Sequence, residues 1–321
     1  MKFILIGAVL LIGLAFGAAK FYLYYKVSDG MDSAVLAMAP YAEIEYGGIS
    51  STITGELTID DIKVKMKAYR DGFVIGRLGI DTPNFLTLLN LSDFAAGTPS
   101  ASSETPKYFG FIAEDIQFLA TADYYKDFYE ASIKKLAPPD IRQRGVHCVG
   151  KYGYSPKALQ ALGYEEMLVS VSIGLRQAKN NYSAEMKFDV VDMADLEMSV
   201  QMAGDLMTGV ASGPYYKPKM SDLRIKITDQ SLNQRVEKYC TKLGLTPAQI
   251  LAAHLNALQY RGKLHGIEFD EYVIDPYKEF LAGKSTLIVT AKPREPLDLA
   301  RIKRYKPSDV PALLNLEAAA Q

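Results

Sequence analysis

The sequence predicts an α+β protein in which an N-terminal transmembrane helix precedes a curved antiparallel β-sheet body with a helix-rich C-terminal third. Three patterns predict this fold class. Residues 3–19 carry no charge, apolar and polar side chains alternate in several segments between 49 and 228, and apolar side chains recur every three or four positions between 232 and 281. These are the signatures of a membrane span, of half-buried strands and of amphipathic helices, respectively.

Composition limits the classes of function. The chain has 321 residues, of which 49% are hydrophobic and 23% charged, so it can bury a sizeable core in one or two domains. Its formal net charge is −1, whereas proteins that bind nucleic acid usually present a strongly basic face. We therefore expect no nucleic acid among its partners.

Residues 1–26 are predicted to form a membrane anchor. A helix rises about 1.5 Å per residue, so residues 3–25 can cross a hydrocarbon core of about 30 Å. The alternative is a cleaved signal peptide, because the apolar run ends in the small residues 17–19. The end of the segment carries side chains that suit a membrane interface, namely Phe21, Tyr22, Tyr24 and Tyr25.

A retained anchor predicts a single-pass protein of the inner membrane with its body in the periplasm. Within the anchor, Gly13 and Gly17 form a G-x-x-x-G motif. Such spacing lets a second helix approach closely, although glycine is common in membrane helices anyway. A helix-pairing role for these two glycines is therefore a hypothesis of the sequence.

The chain has two cysteines, Cys148 and Cys240. In an oxidising compartment such a pair predicts one disulfide, and in the absence of a bridge both are buried thiols. His147 precedes Cys148, but a metal site would need further ligands at a recognisable spacing. We expect the disulfide.

Four segments are predicted along the chain. The anchor at 1–26 is followed by a short helix and a β-hairpin region at 27–94. Residues 95–107 are small, polar and proline-bearing, which is typical of a flexible linker or loop. Residues 108–321 are predicted to form an antiparallel sheet with C-terminal helices.

The first strands change the parity of their alternation. From Ile49 to Asp60 the odd positions are mainly apolar, whereas after Asp61 the even positions are apolar. Because a slip of one residue turns every following side chain over, a bulge or a tight turn is predicted at Asp60-Asp61. The resulting apolar face comprises Ile49, Ile53, Leu57, Ile59, Ile62, Val64 and Met66.

Further strands are predicted at 108–119, 168–175, 182–191, 194–202, 222–228 and 285–293. The segment 192–195 lies between two of them, much as Asp60-Asp61 does, and hints at a repeated strand–acidic turn–strand unit. Helices are predicted at 124–136 and 232–243, from Thr246-Pro247, and from Asp275-Pro276. Gln249 completes a capping box with Thr246, and Pro247 suits the first helical position.

No motif indicates catalysis, a metal or a cofactor. His254 falls on an apolar helix face, where a core histidine is the common case, and His265 suits a helix C-terminus. Four acids cluster near this helix, but such groups are usually a solvated face or helix caps; they are Glu268, Asp270, Glu271 and Asp275. We therefore expect a protein that is not an enzyme and has no cofactor.

The entry region resembles AsmA-like bacterial envelope proteins over roughly residues 1–90. The resemblance rests on one N-terminal anchor, a short helix, and a hairpin pattern formed by Ile49, Ile53, Gly55, Leu57, Ile59, Asp60, Asp61, Ile62 and Val64. It implies a β-groove that holds lipid tails and a role in lipid movement or outer-membrane upkeep. The chain departs from that family in its short length, its helix-rich last third and its predicted disulfide.

Two functions are therefore expected. In the first, a membrane-anchored periplasmic protein holds or passes lipid acyl chains in a β-groove lined by the seven apolar residues of the first strands, with membrane lipids as partners. In the second, it is a non-catalytic envelope scaffold or accessory subunit that binds other envelope proteins. A groove lining and a core face have the same period of two, so the sequence leaves both open.

Overall fold

The computed structural model describes residues 2–89, 107–133, 155–179, 181–204 and 219–321, with the backbone alone for residues 2–16, 132–133, 299–300 and 303. The described chain contains helices and antiparallel strands, as an α+β protein does. It divides into two compact units, Met1–Ala113 and Glu114–Gln321. The predicted linker at 95–107 lies outside the described residues except for Lys107.

Unit 1 begins with a long helix, α1 (Lys2–Met38). Four strands follow: β1 (Ala42–Glu45), β2 (Ile49–Ser51), β3 (Glu56–Met66) and β4 (Gly72–Asp81). Strand β3 is central and pairs antiparallel with the other three. A short helical segment at 85–89 follows β4.

The prediction of a transmembrane helix at the N-terminus is wrong. Within the described part of the chain, no helix combines the length and the apolar character that a membrane crossing requires. From Gly17 onward, α1 carries Lys20, Lys26, Asp29 and Asp32. The predicted single-pass inner-membrane location with a periplasmic body is contradicted by the same finding.

Helix α1 packs on the core of unit 1. Leu23 is only 1% exposed and clusters with Leu57 of β3 and with Phe85 and Leu88 of the short helical segment. Ala19 and Val27 lie one turn before and one turn after Leu23, and both pack against the same cluster. The neighbouring aromatic residues are exposed: Phe21, Tyr22, Tyr24 and Tyr25.

One residue at positive φ accompanies the predicted change of parity in β3, while the register with β4 stays the same from Asp60↔Arg77 to Ile62↔Ile75, so neither the predicted bulge nor the predicted turn is present. Asp61 has a positive φ of 54° inside a strand that continues to Met66, so the chain makes no turn there. Leu57, Ile59 and Ile62 are all buried although their parity differs. Next to Asp61, the N–H of Gly47 donates to the carbonyl of Asp60, and the N–H of Asp60 donates to the carbonyl of Gly48.

Strand β5 (Tyr108–Leu119) runs from unit 1 into unit 2 and changes parity in the same way. Asp115 also has a φ of 54°. Ala113 is buried before it, and Ile116 and Phe118 pack on the core of unit 2 after it. The pair Glu114-Asp115 is therefore the counterpart of Asp60-Asp61. The predicted counterpart at 192–195 differs from both pairs, because 191–193 form a turn between two strands and Ala194 begins the second strand.

The sheet of unit 2 contains β6 (Glu166–Ala178), β7 (Asn181–Val190), β8 (Ala194–Ala203), β9 (Lys219–Asp229), β10 (Thr286–Ala291), β11 (Leu297–Asp298) and β12 (Leu316–Ala320). The order of the paired strands is β6-β7-β8-β9-β10-β12, with β11 paired to β9. All the pairs with a described register are antiparallel.

The helices of unit 2 are α2 (Asp123–Phe128), α3 (Pro156–Ala161), α4 (Leu232–Lys242), α5 (Pro247–Leu264), α6 (Glu271–Leu281) and α7 (Val310–Leu314), with a π-helical turn at Tyr129–Ile133 and 3-10 turns at Leu299–Arg304 and Pro307–Asp309. Helix α5 begins with the predicted capping box of Thr246 and Gln249. Helix α6 starts earlier than predicted, at Glu271, and contains Pro276 within it.

Replacing Leu23 by alanine is expected to destabilise the protein by about 2–5 kcal/mol, because the change leaves a cavity in the core of unit 1. Leu36 lies on the same helix but is 76% exposed, so Leu36→Ala is the matched control and should change the stability by less than about 0.5 kcal/mol. Urea unfolding of both variants measures the difference. Equal losses would show that Leu23 does not hold α1 on unit 1.

Replacing Asp61 by valine should cost about 1–2 kcal/mol, because a β-branched residue is strained at positive φ. Asp61→Gly should be tolerated, since glycine adopts this conformation without a steric clash. Lys63→Val is the control, being exposed on the same strand. Chemical denaturation of the three variants tests the positive φ of Asp61, and a Lys63→Val loss as large as that of Asp61→Val would contradict the expectation.

Candidate functional site

The sheet of unit 2 has one apolar and one polar face. Directly paired residues of neighbouring strands share a face, so the registers define five rows of side chains on the apolar face. The first row is Val169, Val190, Ala194 and Asp229, and the fifth is Gln177, Tyr182, Met202, Met220 and Leu297.

The three middle rows consist of apolar residues alone. The second row is Val171, Phe188, Leu196, Ile227 and Leu287; the third is Ile173, Met186, Met198, Ile225 and Val289; the fourth is Leu175, Ala184, Val200, Leu223 and Ala291. A register shift in β9 keeps the rows aligned, because β9 has an extra residue, Ser221, between those that pair with Gln201 and Met202.

Helices cover the two outer rows. At one end, Val169 and Val190 are buried in a cluster with side chains of α3, α4 and α5, including Leu159, Val236 and Ile250. At the other end, a second cluster joins the fifth row to α7 and contains Tyr182, Met202, Met220, Val310 and Leu314. The first and fifth rows are eight residues apart, or about 27 Å along a strand.

The middle rows are covered less than the outer rows, although Val171 packs against the first cluster and Val200 and Leu223 pack against the second. Only Leu287 and Ala291 among their fifteen side chains are buried, and none of the third row is. Ile173 is 41% exposed and Phe188 is 38% exposed. We call the other thirteen residues the apolar trough: Val171, Ile173, Leu175, Ala184, Met186, Phe188, Leu196, Met198, Val200, Leu223, Ile225, Ile227 and Val289.

The trough has a uniform chemistry. Its thirteen side chains are aliphatic, methionine or phenylalanine, and none carries a charge or a hydrogen-bonding group. It crosses the five strands β6 to β10, a distance of about 19 Å at the usual strand spacing. Met186 and Met198 lie side by side at its centre, and methionine adapts readily to irregular apolar partners.

The opposite face of the same strands is polar and suits solvent. Lys226 donates to Glu197 at 2.9 Å, and the Lys226 ammonium lowers the pKa of Glu197. Asp189 and Asp195 lie directly opposite each other. Burial and the neighbouring Asp195 carboxyl raise the pKa of Asp189, and its Oδ1 is buried with no hydrogen-bond partner in the described part of the chain.

The apolar residues predicted to line a groove in the first strands belong to unit 1 and separate into three environments. Leu57, Ile59 and Ile62 are buried. Ile49, Val64 and Met66 are half-buried. Ile53 lies outside the strands, between β2 and β3, and is 70% exposed. The predicted face is therefore not continuous, and its role in lipid binding stays a prediction.

Gly13 and Gly17 both lie in α1. A Cβ atom added to Gly17 would meet nothing within 4 Å, so no described residue packs closely there. Gly13 falls in the part of α1 that is described by its backbone alone. The helix-pairing role of the two glycines is therefore untested.

The predicted disulfide is wrong. Cys240 lies in α4 as a fully buried thiol, and the described part of the chain contains no disulfide. Its neighbours in the cluster include Val236 and Ile250, so the side chain serves as a small apolar group of the core. Cys148 and His147 lie outside the described residues.

The remaining candidate residues have structural surroundings. His265 is the C-terminal cap residue of α5, and Asp270 is the N-terminal cap residue of α6. Asp275 pairs with Lys278 at 2.7 Å, and Glu271 lies in the first turn of α6. Within the described residues, no group of three or more acids, histidines or cysteines could hold a metal ion. His254 differs from the other candidate residues, because its imidazole lines a cavity in unit 2.

Comparison with known proteins adds little about function. A family model described only as an uncharacterized protein matches residues 177–321, which is less than half of the chain. No curated protein matches the chain. The matched segment contains β7 to β12 and α4 to α7, and therefore most of the trough but little of β6 and nothing of unit 1.

Replacing Asp189 by asparagine should stabilise the protein at neutral pH by about 0.2–1 kcal/mol, because it removes one of two carboxylates that lie directly opposite. A raised carboxyl pKa means that this site contributes its full stability below the ordinary Asp pKa and loses it as the pH rises through the raised value. The advantage of the variant should therefore shrink as the pH falls towards about 4.

Unfolding measured between pH 4 and pH 7.5 tests this expectation. Glu185→Gln is the matched control, because Glu185 lies on the same face of β7, where it is exposed and opposite Ser199. The expectation fails if Asp189→Asn and Glu185→Gln show the same change of stability at every pH.

Proposed function

We propose that this protein binds lipid acyl chains and that it holds them in the apolar trough of unit 2. The observation that carries the proposal is the row of Ile173, Met186, Met198, Ile225 and Val289, which crosses five strands without one buried member. Apolar side chains that stay partly exposed across several neighbouring strands indicate an interaction site.

The chemistry of the trough supports a hydrocarbon as its occupant. A polar ligand would need hydrogen-bonding groups at its ends, because a buried polar group without a partner costs about 1–3 kcal/mol. None of the thirteen trough side chains can supply such a bond. An acyl chain needs none, and each CH₂ group that it removes from water contributes about 0.8 kcal/mol.

The boundaries and the length of the trough also support a flexible hydrocarbon chain as its occupant. The two helix-covered clusters bound the trough at the first and fifth rows, so an occupant can lie across the strands between them. The trough is about 19 Å long in that direction. The paired methionines at its centre can adjust their rotamers to a chain of variable path.

The proposal moves the lipid site away from the first strands. The predicted groove residues Leu57, Ile59 and Ile62 are at most 9% exposed and form core, so a ligand could reach them only if unit 1 opened. In contrast, Ile173 and Phe188 are open to solvent in the folded unit. The same period-two pattern thus forms a closed core in one unit and an open face in the other.

The test is lipid extraction from the purified full-length protein, followed by mass spectrometry of the extract per mole of protein. We expect Ile173→Asp to lower the bound lipid about tenfold, because a charge in the trough displaces the contacts of about two CH₂ groups. Ile173 is partly exposed, so the carboxylate can reach water and the fold should persist. Circular dichroism checks this.

Ser172→Asp is the matched control. Ser172 is the neighbouring residue of β6 and faces the polar side of the sheet, opposite Lys187, so this variant should keep its lipid. Absence of lipid from the wild-type protein, or equal lipid in the folded Ile173→Asp variant, would refute the proposal. The second outcome would favour a contact surface for another protein.

A further inference from the structure

A cavity of about 510 Å³ lies among three helices of unit 2. It is bounded by α4, α5 and α6, by the end of β9 and by the residues between α6 and β10, and it shares no residue with the trough. Its volume is within the range of small-molecule sites in proteins. Its wall is mixed, because Ile250, Leu251, Phe280 and Leu281 are apolar and most of the others are polar.

Two side chains of this cavity, the imidazole of His254 and the buried Nδ2 of Asn233, have polar atoms without a hydrogen-bond partner in the described part of the chain. His254 is partly buried on α5, and burial alone lowers its pKa to about 4, with no hydrogen bond contributing to the shift. Its ring is therefore neutral at physiological pH and offers one donor and one acceptor. In the described part of the chain nothing satisfies either of them.

The charges around the cavity balance. Asp229 and Glu237 are acidic, whereas Lys278 and Lys284 are basic. Two of these four groups are already engaged, since Asp229 accepts the N–H of Asn233 at 2.9 Å and Lys278 pairs with Asp275. The remaining Glu237 and Lys284 have opposite signs, so the wall selects neither an anion nor a cation.

We propose that the cavity between α4, α5 and α6 binds a small neutral alcohol whose hydroxyl group hydrogen-bonds the imidazole of His254. The apolar body of this ligand lies against Ile250, Leu251, Phe280 and Leu281. A hydroxyl group matches the imidazole because it can both donate and accept a hydrogen bond. A neutral ligand matches the balanced charges of the wall.

Three probes with the same six-carbon body test the class of ligand: hexan-1-ol, hexanoate and hexylammonium. The chain has three histidines, so NMR can follow the imidazole resonances of His254 individually in the full-length protein. We expect hexan-1-ol to shift them saturably and the two ions to bind more weakly. The proposal is overturned if hexan-1-ol leaves them unchanged or if either ion binds as tightly.

A pair of variants tests the role of the imidazole. His254→Phe keeps a flat ring but removes both nitrogens, and loss of one hydrogen bond should weaken the binding of hexan-1-ol about fivefold. His265→Phe is the matched control, because His265 is exposed at the end of the same helix. Equal affinities in the two variants would overturn the proposal. If His254→Phe does not fold, the titration of the wild-type protein with the three probes is the deciding test.

Discussion

The constraint on which this structure depends is that an antiparallel sheet must keep its apolar side chains on one face although its strands are irregular. A strand alternates with a period of two, so one additional residue would turn every following side chain to the other face. The chain meets this constraint with local irregularities. Asp61 and Asp115 adopt a positive φ inside β3 and β5, and Ser221 is the extra residue of β9.

Short acidic side chains suit two of these positions. Aspartate tolerates the left-handed conformation better than most residues, since its side chain can hydrogen-bond locally. The backbone opposite Asp61 must also come close. A Cβ atom on Gly47 would lie 3.0 Å from the carbonyl oxygen of Asp60 and 3.2 Å from the Cβ of Asp61. Glycine at position 47 therefore allows the two chain segments to come this close.

The need to keep apolar side chains on one face shapes the first candidate site, the apolar trough. Because the bulge at Ser221 keeps Met220 and Leu223 on one face, the apolar rows of unit 2 run unbroken across the strands. Helices cover the first and fifth rows, and no side chain of the third row is buried. Where α4, α5 and α6 meet beyond the first row, their packing leaves the cavity of His254. One site is purely apolar, whereas the other is mixed.

The sequence by itself located β6 to β10, their apolar faces and the start of α5, because alternation and capping are local properties of the chain, but it missed the short strands β11 and β12. It also located the irregularity at Asp60-Asp61. Tertiary structure alone decided which apolar faces are closed: helix packing buries Leu57 and Ile62 but leaves Ile173 and Phe188 open. It also decided that Leu23 packs on a sheet and that Cys240 is a core thiol. The physical reason is that burial depends on what another part of the chain places against a face, and a pattern of period two or 3.6 does not encode it.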